Sequence, residues 1–356
     1  MLTNSEIYYN DICNIVNDSS IPWQTFANKN ILITGATGLI GAQVVNSLLE
    51  ANERKKLNCY LHLLVRSEEK AYALFGDKIN KGCHLINLAI EKFEDYPCEI
   101  DYIIHAASCT ASRAFIDNPV ETLLTNVLGT NNLLNLAKTK NVSSMIYLST
   151  MEVYGILETD DKITEDFISK INSNDVRNSY PISKIASENL CRCYSSEYNV
   201  PTTVLRLTQT FGPGVQYDDK RVFAEFARSV VEKKDIVLKT KGETKRNYLY
   251  TADAVSAILI GLVKAKKNGD IYNVANEATY CTIAEMAELV TKLDPSKSVK
   301  VKYEFQDNKV NGYAPTLHMN LDCSKIRNLG WTPTTDLKQM YQRMILDMEY
   351  YYRGKE

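Results

Sequence analysis

Tyr180 and Lys184 stand four residues apart in the run Asn178-Ser179-Tyr180-Pro181-Ile182-Ser183-Lys184. On a helix that spacing puts both side chains on one face. A phenol ordinarily titrates near a pKa of about 10, and a neighbouring ammonium favours the phenolate. Tyr180 is then equipped to take a proton from a hydroxyl while a hydride leaves the same carbon. The apolar run Met145–Thr150 ends in Ser149-Thr150, and the Thr150 hydroxyl is able to share that proton. Glu152 follows two residues on. Tyr-x-x-x-Lys alone occurs in many helices, so its weight comes from what lies upstream.

Upstream is Gly35-Ala36-Thr37-Gly38-Leu39-Ile40-Gly41. It follows an apolar run, Ile31 to Ile33, and precedes Ile40, Val44, Val45, Leu48 and Leu49 at helical spacing. Strand, glycine turn and helix are the context of a dinucleotide site. Gly35 suits a tight turn, Gly38 close approach of a pyrophosphate, and Gly41 close packing of helix on strand. The free N–H groups around Thr37, Leu39 and Ile40 would hold the phosphates at the positive end of the helix. The second strand is expected at Cys59–Val65, with Arg66 next. No acidic residue stands there to bind a ribose 2′-OH, and Arg66 would instead meet a 2′-phosphate. The cofactor expected is therefore NAD(P), with NADP favoured over NAD. Asp101–Ser108 is another strand, and the small Ala106 and Ala107 after it would let a flat ring lie on the backbone. His105 is expected to be a satisfied core residue. Asn126, in the helix expected over 119–138, is expected to bond to nearby backbone.

Strands and helices alternate through Gly214, which predicts an α/β, Rossmann-type doubly wound parallel sheet. Three parts are expected. Residues 1–28 form a polar leader without chemistry of its own, in which Trp23 and Phe26 pack on the first strand. Residues 29–214 form the dinucleotide-binding domain. Residues 215–356 form a smaller mixed substrate-binding part, some of which returns to the first domain. In it an isolated strand at Ile236–Lys239, a basic loop GETKRNY and a loop at Asn308–Pro315 are expected. An acidic loop is expected between Gly155 and Asn178.

Composition sets the class. The chain has 356 residues, 45% of them hydrophobic, enough for a large core. A net charge of −2 gives no reason to expect nucleic acid or a membrane surface as partner. No apolar run is long enough to span a bilayer, and a cytoplasmic protein is expected. Nine scattered cysteines and four dispersed histidines predict reduced thiols and no metal site.

Taken together, GATGLIG, DYIIHAAS, NPVETLLTNVLGTNNLL, YLSTMEVYG, YPISK, LRLTQTFGPG, KRNYLYTADAV, IYNVA and LGWTP resemble the extended short-chain dehydrogenase/reductases that act on nucleotide-diphosphate sugars. The resemblance covers nearly the whole chain. It implies a bound nicotinamide that oxidises the sugar at C4 and commonly returns the hydride. It implies Thr150, Tyr180 and Lys184 as the catalytic set. It also implies Arg246 on the substrate diphosphate, with Thr150 and Gln209 as further substrate contacts. A homodimer through the helices at 119–138 and 180–194 is expected from the same resemblance.

The branch turns on Thr150-Met151-Glu152. The 4,6-dehydratases resemble this chain in carrying Glu there, in Thr-Asp-Glu or Thr-Ser-Glu, and the UDP-glucuronate decarboxylases share Thr-Ser-Glu. A 4-keto group acidifies the C5 proton, and Glu152 is placed to remove it. Met151 departs from the pattern, since it has no proton to give. SCTAS, NPVET and GVQYDDKRVFAEF resemble the decarboxylase branch, while YPISK departs from it. A 4,6-dehydratase is expected first. A UDP-glucuronate decarboxylase, a 4-epimerase and an NADPH-dependent 4-ketoreductase stay open.

Overall fold

The computed structural model describes residues 5–108, 114–305 and 316–353. Seven parallel strands form the main sheet: β1 (Asn30–Thr34), β2 (Tyr60–Val65), β3 (Cys83–Asn87), β4 (Tyr102–His105), β5 (Ser144–Thr150), β7 (Thr202–Leu207) and β11 (Asn268–Val274). Between and beyond them come β6 (Glu158–Ile163), β8 (Gln209–Phe211), β9 (Ile236–Leu238), β10 (Lys245–Tyr250), β12 (Asn276–Thr282), β13 (Val301–Tyr303) and β14 (His318–Leu321). The main sheet runs β11-β7-β5-β4-β1-β2-β3. Its near-continuous apolar strands fit a sheet covered on both faces. Ile31, Ile33, Leu61 and Leu63 enter the core on one face. Leu32, Leu64 and Ile103 enter the core on the other. This alternation is the two-residue period of a strand. The strand order reverses between β1 and β4, and a crevice opens there outside the carboxyl ends of the strands.

The second half supplies a separate core around Phe211, Phe223, Tyr248, Met286 and Tyr341. Over it lies a mixed sheet, β12-β10-β14-β6, with β8 added beside β10. Ile271–Val274 of IYNVA belong to β11, on the edge of the main sheet beside β7. Phe26 meets Tyr102 edge-on at 5.7 Å, and Trp23 is buried beside it.

Three sequence expectations about the elements need correction. GETKRNY is not a loop throughout: Lys245–Tyr250 is β10, paired antiparallel with β12 and parallel with β14 and β8. Pairing on both sides outweighs a polar composition that reads as a turn. The acidic segment contains β6, which adds to β14 as an edge strand. Charged residues suit an exposed edge. Ile236–Leu238 is not isolated but pairs with β13. The Asn308–Pro315 loop and most of SCTAS lie outside the described residues. No described helix is long and apolar enough to cross a membrane. The eight described cysteines are free thiols, and no three described His, Cys, Asp or Glu side chains gather as a metal-ligand set.

Candidate active site

The helix Leu39–Lys55 begins at Gly38, whose lack of a side chain leaves the first N–H groups uncapped. A cleft of about 790 Å³ opens in front of them. Gly35 sits at φ +66°, and a Cβ there would lie 2.7 Å from the Ala106 carbonyl and the Ala107 nitrogen. A Cβ on Gly41 would lie 2.1 Å from the Gly35 oxygen. Both positions require glycine. Thr37, Gly38, Leu39, Ile40 and Gly41 all line the cleft, as do Ala106 and Ala107. Bare glycine backbone, free N–H groups and a positive helix end form a cradle that fits a pyrophosphate.

His105 is held from both sides. Its Nδ1 is 2.9 Å from Thr34 Oγ1 and its Nε2 is 3.1 Å from Thr130 Oγ1. Burial lowers its pKa to about 3, which keeps the ring neutral. It is the core histidine expected. Thr34 Oγ1 also accepts from the Ala107 N–H at 3.2 Å, which fixes the small-residue turn after β4.

Tyr180 opens the helix Ser179–Tyr198, and Lys184 lies one turn on. Both line the cleft. The Tyr180 ring lies flat on Phe115, with centroids 4.3 Å apart. Lys184 Nζ donates to the Leu148 carbonyl at 2.8 Å. Burial lowers the Lys184 pKa to about 7, and the Glu188 carboxylate works against that fall. Glu188 is one further turn along the same face. It accepts from Ser149 Oγ at 2.5 Å and from Arg206 Nη2 at 2.6 Å. This buried pair ties the helix of Tyr180 to the ends of β5 and β7. Its sequence signal was the i, i+4, i+8 series Tyr180, Lys184, Glu188.

Asn126 brings a further correction. It bonds side chains rather than nearby backbone: Oδ1 accepts from Ser108 Oγ and Nδ2 donates to Ser183 Oγ, both at 2.8 Å. Ser183 Oγ in turn donates to the Tyr180 carbonyl at 2.7 Å. A polar residue inside an apolar helix face was the available signal.

Thr150 ends β5 at the cleft, and its Oγ1 accepts from the Glu152 N–H at 3.3 Å. Met151 is buried, and its Sδ accepts from Thr208 Oγ1 at 3.1 Å. Glu152 lines the cleft. Water in the open cleft reaches its side chain, yet protein surrounds it on all other sides. That burial raises its carboxyl above the ordinary range, while Arg246 and Arg177 pull it down. Arg246 lines the same cleft from β10, and its buried Nε has no hydrogen-bond partner among the described residues. Gln209 lines it from β8. Asp219 and Arg221 form a salt bridge of 2.6 Å on the cleft wall, a feature the sequence reading did not single out. Arg66 also reaches the cleft, exposed at the end of β2 and without an ion-pair partner among the described residues. Every residue nominated from sequence therefore falls on one cleft.

A doubly wound sheet with a glycine cradle at its switch point and a tyrosine–lysine pair on the facing helix defines a dinucleotide-dependent oxidoreductase-type enzyme. The family model described as "NAD dependent epimerase/dehydratase family" matches residues 31–275. UDP-glucuronic acid decarboxylase 3 of Arabidopsis thaliana is 32% identical over 319 residues, 88% of this chain and 86% of that protein. Among solved structures, UDP-glucose 4-epimerase of Thermotoga maritima with UDP-glucose superposes with a TM-score of 0.76 at 22% identity, covering 92% of this chain and 100% of that one. The dTDP-glucose 4,6-dehydratase of Bacillus anthracis with NAD gives 0.73 at 22% identity, covering 91% and 98%. The chain belongs to the NAD dependent epimerase/dehydratase family and is an enzyme of the extended short-chain dehydrogenase/reductase type.

Proposed function

We propose that the cleft binds a nicotinamide dinucleotide and a nucleotide-diphosphate hexuronate, and that the chain oxidises the sugar at C4 and releases carbon dioxide. The observation that carries this reading is Met151. It fills the position between Thr150 and Glu152 with a buried thioether that has no proton to give. Expulsion of a C6 hydroxyl as water wants an acid there; loss of a carboxylate from C5 does not. The curated decarboxylase relative at 32% identity supports the same order. This puts the decarboxylase ahead of the dehydratase expected first from the Thr-Met-Glu run.

A bound nicotinamide supplies the acceptor for the C4 hydride and its return. Tyr180 takes the C4 hydroxyl proton, with Thr150 sharing it. Lys184 in its charged form favours the phenolate and would bond the ribose of a bound dinucleotide. Once C4 is a ketone, the sugar is a β-keto acid. The C5–C6 bond breaks, its electron pair moves into the C4 carbonyl as an enolate, and carbon dioxide departs. A proton then returns to C5, and Glu152 is the group placed to deliver it. Its raised carboxyl pKa suits that task. Arg246 holds the diphosphate through a bidentate fork. Arg66 at the end of β2 favours NADP over NAD.

The 4,6-dehydratase is the second reading, favoured by that same raised carboxyl, which would let Glu152 serve as the acid for water loss. Incubation of the purified chain with UDP-glucuronate, UDP-glucose and dTDP-glucose, without added cofactor, separates the two by product mass. Loss of carbon dioxide supports the first reading. Loss of water establishes the second, and a product of unchanged mass overturns both in favour of an epimerase.

A further inference from the structure

The helix Glu6–Asn17 lies outside residues 31–275, the part that the family model matches. The sequence assigned it no chemistry, yet in the fold it reaches the cleft. Tyr8 lines the cleft together with Leu39, Ala42 and Gly214 while remaining buried. Its hydroxyl accepts from Asn46 Nδ2 at 3.3 Å, on the helix that follows the glycine turn. Its ring lies on the bare Cα of Gly214. A Cβ there would come within 3.1 Å of Tyr8 Cε2 and 3.5 Å of Leu39 Cδ1. Tyr8 thus touches the glycine-turn helix, through Asn46, and the Gly214 turn.

The rest of the helix fastens it to the same walls. Asp347, on the C-terminal helix Leu337–Arg353, accepts from the Gly214 N–H at 2.8 Å and from the Ser5 hydroxyl. Ser5 caps the leader helix and accepts from the Tyr8 N–H at 3.1 Å. Asp11 accepts from the Tyr250 hydroxyl and from Arg343. Tyr250 ends β10, the strand that carries Arg246. One short helix therefore braces the glycine-turn helix, the Gly214 turn and the Arg246 strand.

We propose that Tyr8 is a positioning residue for the dinucleotide: its ring sets the gap between Leu39 and Gly214, and the leader helix is the brace that keeps that gap closed on a bound pyrophosphate. This rests on the reading that the cleft holds a nicotinamide dinucleotide. A Tyr8 side chain cut short leaves a void between the two walls, and walls free to part release the cofactor sooner. Affinity differences among variants of one site sit mostly in the off-rate.

The test uses the full chain with Tyr8→Leu and Tyr8→Phe. NADPH and NADH dissociation is followed by nicotinamide fluorescence, and Tm is measured with and without dinucleotide. Tyr8→Leu is expected to release the dinucleotide about tenfold faster and to lose most of the ligand-induced rise in Tm, since tenfold corresponds to about 1.4 kcal/mol. Tyr8→Phe keeps the ring and is expected to behave as the unaltered chain. If Tyr8→Leu does not fold, Asp347→Asn is read in the same assay with the same expectation of faster release. A folded variant that releases at the unaltered rate, or that lowers only the Tm of the ligand-free chain, overturns the role of Tyr8. Failure of the unaltered chain to bind either dinucleotide overturns the cofactor reading and this inference with it.

Discussion

The Tyr180 ring stacks on Phe115 with centroids 4.3 Å apart and planes within 2° of parallel. Ser179 Oγ adds a bond to the Phe115 carbonyl at 3.2 Å. The phenol is thus held in place at the cleft before any substrate arrives, and a fixed orientation is what a proton-transfer group needs. Tyr180→Phe preserves the stack and deletes only the hydroxyl. It should leave Tm and dinucleotide binding unchanged and cut turnover by roughly 100- to 10,000-fold, the usual worth of a positioned acid–base group. Near-normal turnover, measured by product formation, would remove Tyr180 from the mechanism. Phe115→Leu should cost much less, because the hydroxyl stays and only its orientation loosens.

The glycine turn, the strand ends and the Tyr-x-x-x-Lys helix were legible because each depends on local residues at fixed spacing. Gly41 is an example: a Cβ there would meet the Gly35 oxygen six residues earlier. Long-range contacts left no such trace. Tyr8 reaches the cleft only because the C-terminal helix and the Gly214 turn close around it, more than 200 residues away in sequence. β10 read as a basic loop because its partners, β8, β12 and β14, lie on separate segments. Asn126 was noticed as a polar residue in an apolar setting, but its partners Ser108 and Ser183 could be found only by folding.

Lys184 gives a pH dependence with a definite sign. Its pKa falls to about 7 in the fold, against about 10.4 for a free lysine. Between those values the unfolded chain binds the proton and the folded chain does not, so stability rises with pH there. Below pH ~7 both forms are charged and the burial penalty is complete. Lys184→Met removes that penalty. It should raise Tm more at pH 6 than at pH 9 while reducing turnover to a trace. Thermal melts at the two pH values decide it, and an equal rise at both would show that burial does not depress this ammonium.

The expected preference for NADP rests on Arg66. It stands exposed at the end of β2, with Ser67 capping the next helix through a 3.1 Å bond from the Lys70 N–H. A 2′-phosphate placed there would meet a guanidinium free to accept it. The unaltered chain should bind NADPH more tightly than NADH by tenfold or more, about 1.4 kcal/mol, and Arg66→Ala should erase the difference. Titration by fluorescence is sufficient. Equal affinity for both dinucleotides in the unaltered chain would leave Arg66 as a solvated strand-end residue.

The expected assembly rests on one helix face. Ile116, Val120, Leu124 and Leu128 are all exposed, Val120 at 62%. The last three stand at four-residue intervals on the helix Pro119–Thr139 and form one stripe. The helix packs directly on Ser179–Tyr198, so a second copy docking there would complete a bundle of four. A homodimer is expected at micromolar concentration, and Leu124→Glu together with Leu128→Glu should yield monomer. Sedimentation of the unaltered chain as a monomer would refute this.

Glu152 carries the test that separates the proposed oxidation step from the later chemistry at C5. Its backbone N–H bonds to Thr150 Oγ1 at 3.3 Å, so the short turn after β5 brings both residues to the cleft. Arg246 and Arg177 share its electrostatic surroundings, while burial raises its pKa. Glu152→Gln keeps the size and much of the hydrogen bonding but can neither accept nor deliver a proton. If Glu152 acts after oxidation, the variant should still produce reduced cofactor on mixing with UDP-glucuronate, visible by near-ultraviolet absorbance. The product should then form at a rate lowered by about 100-fold or more, the usual loss when a proton-transfer group is removed. Deuterium oxide adds a second readout. In the unaltered chain, decarboxylation places one solvent deuteron at C5 of the product, and in the variant that step becomes slow. A variant that forms product at the unaltered rate would reduce Glu152 to a structural residue and return the epimerase and ketoreductase readings to the front. A variant that fails even to reduce the cofactor would place Glu152 in the oxidation step itself, beside Thr150 and Tyr180.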